Sequence, residues 1–154
     1  MTLEQIGILT GIFSAIAAGI YFIFKEYKTE KLRIRVKFAG QWGNEGDVTW
    51  SKNETHFVEL SLTVDQDDGE ITGIIISRSV KSDDTLPTLS VNGKLHFKSA
   101  NIKFTHVRHG EILVYGNAKI TLKGKLLHWT LRDGFDDGFP EKTKLHRQFI
   151  AVAG

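Results

Sequence analysis

The pattern of apolar and polar positions changes character once along the chain, from a continuous apolar run to a long series of alternations. Between Gln5 and Phe24 no residue carries a formal charge. Twenty helical residues at about 1.5 Å each cover roughly 30 Å, the thickness of a hydrocarbon core, so this stretch predicts one transmembrane helix within residues 1–27. A cleaved signal peptide is the rival reading, because Ala15-Ile16-Ala17 has the small-x-small form of a cleavage site. Against it, the residues before the run carry an acid, Glu4, where a leader carries a base, and apolar sequence continues well past Ala17. The segment therefore reads as a retained anchor.

After Glu30 the period becomes two. Leu32, Ile34, Val36 and Phe38 alternate with Lys31, Arg33, Arg35 and Lys37, which predicts a half-buried first strand running almost directly out of the membrane helix. Further strands are predicted over 47–50, 56–64, 71–80, 88–97, 102–107, 111–122, 125–131 and 143–149. Asp67-Asp68-Gly69, Arg108-His109-Gly110, Lys123-Gly124 and Asp136-Asp137-Gly138 supply hairpin turns between them. Short turns make sequential strands antiparallel neighbours. About eight such strands favour closure, because an open meander leaves exposed edges. The expected fold is all-β: an up-and-down, lipocalin-like antiparallel barrel over residues 28–154, preceded by one N-terminal transmembrane helix. A barrel of that size is filled by side chains or holds one small ligand.

Charge refines the topology more than the fold. Twenty Lys and Arg against eighteen Asp and Glu leave a formal charge of +2, with the cations spread along the chain, so attraction to DNA or RNA is not implied. Lys25, Lys28, Lys31, Arg33, Arg35 and Lys37 follow the apolar run and no cationic side chain precedes it, which places the barrel on the cytoplasmic side. Within the run, Gly7, Gly11, Ala15 and Gly19 recur every fourth residue and form a small-residue ridge, a surface on which membrane helices approach closely and self-associate.

Candidate chemistry is sparse. There is no cysteine, and the six histidines are scattered over separate strands without zinc-ligand spacing, so neither a metal site nor catalysis is expected. His106 and His109 read as surface residues on either side of a turn. Asp133, Asp136 and Asp137 lack the spacing of an EF-hand and read as a solvated turn. For binding an anionic, base-bearing ligand, the chain offers Trp50 and Tyr115 as stacking rings, Arg78, Arg108 and Arg132 as phosphate partners, and His128. Trp42 and Trp129 read as core, with Arg147 placed to pack over Trp42.

Gly40-Gln41-Trp42 resembles the Gly-x-Trp opening of lipocalin-like barrels. Taken with the N-terminal membrane helix, the barrel and the closing segment Phe139 to Arg147, the layout resembles the membrane effectors of bacterial CBASS antiphage defence, which join transmembrane helices to a minimal β-barrel. Those effectors carry two membrane helices where this sequence offers one. The resemblance implies an inner-membrane protein, single-pass here, that binds a cyclic dinucleotide or oligonucleotide made by a partner nucleotidyltransferase. It also implies self-association through the membrane helix, extending to the barrel, and damage to the bilayer. The contrasting reading is a membrane-tethered carrier of a small apolar ligand, and a purely structural anchor subunit is a third.

Overall fold

The computed structural model describes residues 1–45, 56–81, 85–134 and 138–149. It divides into two compact units, Met1–Ile34 and Arg35–Gly154. From Leu3 onward the first is helical and belongs to α1 (Leu3–Phe38). Its side chains from Leu3 to Thr29 are exposed, and by length and composition α1 can cross a bilayer.

α1 corrects the first-strand expectation. Residues 31–38 are helical although their apolar side chains alternate. No Gly or Pro occurs between Gly19 and Gly40, so nothing stops a helix once nucleated in the apolar run, and extension adds one hydrogen bond per residue fixed. Glu30 and Arg33 pair at 3.2 Å across one turn. Leu32 and Val36, which a strand would have buried beside Phe38, are exposed, whereas Arg35 and Phe38, three apart on one helical face, are buried. Gly40-Gln41-Trp42, expected to end the first strand, begins it.

The second unit is a closed eight-stranded antiparallel barrel in sequential order: β1 (Gly40–Gly43), β2 (His56–Val64), β3 (Glu70–Ser79), β4 (Leu89–His96), β5 (Ser99–Arg108), β6 (Glu111–Lys123), β7 (Leu126–Gly134) and β8 (Lys142–Arg147). The strand expected over 47–50 lies outside the described residues. Period-two patterning places one side of each strand inward: Val58, Leu60, Leu62 and Val64 of β2 are all buried. Phe104 stacks on Trp129 at 5.3 Å between ring centroids, with Phe139 4.9 Å from Phe104, so the interior holds aromatic side chains. Trp129 Nε1 donates to the Pro140 carbonyl at 2.9 Å and Ser77 Oγ to the Gly138 carbonyl at 2.7 Å, folding residues 138–140 over one end of the barrel. The Arg108-His109-Gly110 turn is a tight hairpin with positive φ at both His109 and Gly110.

Closure rests on few ladder pairs. β1 meets β8 only at Trp42↔Arg147 and Gly43↔His146. A further backbone bond, from Gln148 N–H to the Gln41 carbonyl at 2.9 Å, and side chains supply the rest. Arg147 lies over the Trp42 ring, 5.8 Å from its centroid, and donates to the carbonyls of Lys37 (3.3 Å) and Ala39 (2.9 Å), while Trp42 Nε1 donates to the Phe38 carbonyl at 3.0 Å. These are carbonyls that a helix end leaves unpaired. Gly40 makes room for this: at φ +126, a Cβ would stand 2.9 Å from Arg147 Nη2. At the other end of β1, buried Asn44 donates to the His56 carbonyl (2.9 Å) and Thr143 Oγ1 (3.2 Å) and accepts from Val58 N–H (2.8 Å).

Two outcomes are expected. Asn44→Ala removes three buried hydrogen bonds that tie the end of β1 to β2 and, across the closing seam, to Thr143 of β8, and should lower unfolding stability by roughly 1–3 kcal/mol, read from urea unfolding followed by tryptophan fluorescence of the full chain in detergent; an unchanged midpoint would show that the barrel closes without them. The second concerns acid. Backbone N–H groups of Asp67 and then Asp68 hold the Asp65 carboxylate below its ordinary value, and the nearby Arg35 charge adds to this. A carboxylate depressed by folding contributes its full stabilisation above the unfolded value of 3.8 and loses it as pH falls through the lower folded value. Asp65→Asn should therefore lose less stability than the parent between about pH 6 and about pH 3, measured by the same unfolding curves.

Candidate functional site

Within the wall of a closed barrel the strands are paired on both sides, so spare backbone groups there arise where the register slips. Two slips lie side by side. β5 against β6 shifts at Phe104/Thr105, leaving Tyr115 as the extra residue between Val114 and Gly116. β6 against β7 shifts at Asn117/Ala118, leaving Arg132 as the extra residue between Leu131 and Asp133. Gly116 makes the adjacent slips possible: its φ is +156, and a Cβ there would meet the Asp133 carbonyl at 2.6 Å and Gly134 Cα at 2.8 Å. Only a residue without a side chain lets the two strands come this close.

Around the slips lies a cleft of about 220 Å³ lined by Val114, Tyr115, Gly116, Asn117, Asp133 and Gly134. Asn117 and Asp133 are register partners and lie on the outer face, since Gly116 and Ala118 on either side of Asn117 are buried. Tyr115 packs edge-on against His106 at 6.3 Å between ring centroids. The cleft thus brings together an aromatic ring, a carboxamide and an acceptor carboxylate, with the exposed Arg132 preceding Asp133 on β7. This set suits a flat, hydrogen-bonding heterocycle. A second outer cleft of similar volume, lined by residues including Gln41, Glu59, Ile74 and Gln148, contains an acid and no cation.

The residues singled out from sequence are dispersed. Tyr115 and Arg132 meet at the paired bulges. Arg108 sits at the tip of the β5–β6 hairpin opposite Glu111. Arg78 is committed elsewhere: its Nη2 donates to both Glu45 carboxylate oxygens at 2.8–2.9 Å and its guanidinium lies 5.2 Å from the Phe57 ring centre. His128 lies on the outer face, opposite Thr121 and Lys144. The desolvation of its partly buried ring holds it below its ordinary value, and the positive charges of Lys123 and Lys144 add to this. Trp50 lies outside the described residues. Gly7, Gly11, Ala15 and Gly19 are all exposed on α1, and no atom lies within 4 Å of a Cβ built at any of the three glycines. Asn117 and Asp133 were missed as ligand candidates, because nothing in the sequence marks the register slips that align them. No group of metal-ligating side chains occurs among the described residues.

Comparison with protein-family models, with curated proteins and with solved structures finds no match to this chain.

Proposed function

We propose that this chain is a membrane effector of bacterial antiphage signalling, held in the inner membrane by α1 with its barrel in the cytoplasm. In this reading a cyclic dinucleotide or oligonucleotide binds at the paired bulges, and α1 then assembles with copies of itself to disrupt the bilayer. The observation that carries it is the cleft: Tyr115 offers a face for a base, Asn117 and Asp133 offer donor and acceptor groups to its edge, and Arg132 stands near for phosphate. The helix-plus-barrel architecture supports it as a frame. The carrier reading draws less support, because inward positions such as Ile75, Phe104, Ile120, Leu127 and Trp129 are close to fully buried and occupy the space an apolar ligand needs.

Calorimetry of the full chain in detergent, against a panel of cyclic dinucleotides and trinucleotides, tests the ligand. One member should bind, and Tyr115→Ala should weaken it by about 1–3 kcal/mol, the usual worth of a stacked base. Silence across the panel, with binding of fatty acids instead, would favour the carrier.

The assembly step has its own test. Replacing Gly11 and Ala15 together by Leu should abolish membrane permeabilisation while leaving ligand affinity intact. The new Leu at position 11 meets no clash within the chain, since the space around the Gly11 Cβ is open, and lipid solvates Leu well, so a loss reports contact between helices. Full toxicity with an unchanged cross-linked oligomer would move assembly away from the ridge.

A further inference from the structure

Lysines that are scattered in sequence are gathered by the register onto one side of the barrel. Two adjacent cross-strand rows show it. One runs Lys94↔Asn101↔Lys119↔Thr130↔Lys142, and the next His96↔Ser99↔Thr121↔His128↔Lys144, from β4 to β8. Lys103 and Lys123 flank them on β5 and β6. All these positions point outward, because the residues alternating with them, such as Leu95, Ile102, Ala118, Ile120, Leu127 and Leu145, are buried. None of the six lysines is ion-paired with a described residue. Acids stand at the borders: Glu70 opposite Lys94, Asp133 beyond Lys103 and Asn117, and Glu141 just before Lys142. Glu45, Glu59, Asp65, Asp67 and Asp68 all belong to the β1–β3 side. The barrel is therefore polarised in charge; beside the His128 ring, which desolvation holds below its ordinary value, Lys123 and Lys144 push the same way.

We infer that the outer face of β4 to β8 is a docking surface for the anionic headgroups of a bilayer. The inference rests on the reading of α1 as a membrane span, which keeps a bilayer within reach of the barrel. The chemistry of the face favours lipid over nucleic acid. The cations of the two rows are Lys, flexible point charges, and neither row carries an Arg fork for bidentate phosphate or base recognition. Within the two rows the residues between the lysines are Asn, Ser, Thr and His, and neither row holds a Phe, Tyr or Trp for bases to stack on. Four inter-strand steps of about 4.8 Å make the face roughly 20 Å wide, so several lysines can meet headgroups together, and six is within the range of clusters that hold a protein to an anionic surface.

The test uses the full chain in lipid nanodiscs, of neutral phosphatidylcholine alone or with a substantial share of phosphatidylglycerol. Acylation of lysines by an amine-reactive reagent is read by peptide mass spectrometry. Lys119, Lys142 and Lys144 should be labelled several-fold less in the anionic discs, with Lys81, outside the face, unchanged. High salt should restore labelling, because the contact is electrostatic, and inorganic phosphate at equal ionic strength should do no more than the salt. Lys119→Ser with Lys144→Ser should weaken the protection remaining at Lys142. Equal labelling in both kinds of disc would overturn the inference while leaving α1 inserted. Protection by a short RNA or DNA with none from anionic lipid would overturn it in favour of nucleic acid. Failure to insert into neutral discs would remove the span reading, and the inference with it.

Discussion

The barrel depends on how its first and last strands are joined. β1 has four residues and β8 six, and they share two ladder pairs. A closed sheet with so short a seam has the edge problem that closure is meant to remove. Side chains reinforce it, beside one more backbone bond from Gln148 N–H to the Gln41 carbonyl. Arg147 covers the Trp42 ring and pairs with carbonyls left by the end of α1, and it does so across 110 residues of chain in its bond to Lys37. Asn44 adds a side-chain tie at the far end of β1, donating to Thr143 Oγ1 on β8 while its carboxamide also bonds the backbone of His56 and Val58 on β2. The same guanidinium thus ends the helix and holds the seam. Arg35 adds a further tie, from the last turns of α1 to the Gln66 carbonyl in the β2–β3 turn.

Much of this was legible in the sequence, for a physical reason. A strand with one wet face must alternate, and β2, β3, β6 and β7 do, with hairpin signals at Gly69, Gly110 and Gly124 where φ is positive. The expectation that Arg147 packs over Trp42 held for the same reason: an opening tryptophan needs a cover at the barrel end. Residues 31–38 misled because alternation is weaker information than the absence of a breaker. Four apolar residues at even spacing fit a strand, yet a helix already running had nothing to stop it before Gly40. The β4–β5 turn also left no mark, since Phe97-Lys98 contains no Gly, Pro or Asn and reaches positive φ with a phenylalanine.

Sites were harder to read than strands because they depend on register. Tyr115 and Arg132 were visible as residue types, but Asn117 and Asp133 join them only through two adjacent slips that alternation cannot reveal. Arg78 looked equally suitable for phosphate until Glu45 and Phe57 were seen to occupy it. The lysine face was hidden differently. Its cations come one or two at a time from four strands, and the near-zero net charge of the chain concealed them. One signal was present: between Thr85 and Arg132 the only acid is Glu111, among eight Lys and Arg. A one-sided shortage of acids across consecutive strands becomes a charged side once those strands are neighbours.

Closure and filling together decide where such a barrel can interact. Apart from the β5–β6 hairpin, which runs past its neighbours beyond Thr105 and before Gly116, the strand edges of the barrel wall are paired, and with Trp129, Phe104 and Phe139 packed inside, the interior offers an apolar guest little space. Two kinds of place remain. One is a bulge, where a residue leaves the ladder and its backbone is free to face a ligand. The other is the outer face, where alternation requires polar side chains but leaves their charge open to choice. The paired bulges at Gly116 and the lysine side of β4 to β8 are these two places. They meet along β6 and β7, where Asn117 opposes Asp133 and Lys119 opposes Thr130 on the same two strands. A ligand that shifted the register at Asn117/Ala118 would therefore also move Lys119 and its row, so occupation of the cleft and contact of the face with a surface would not be independent events.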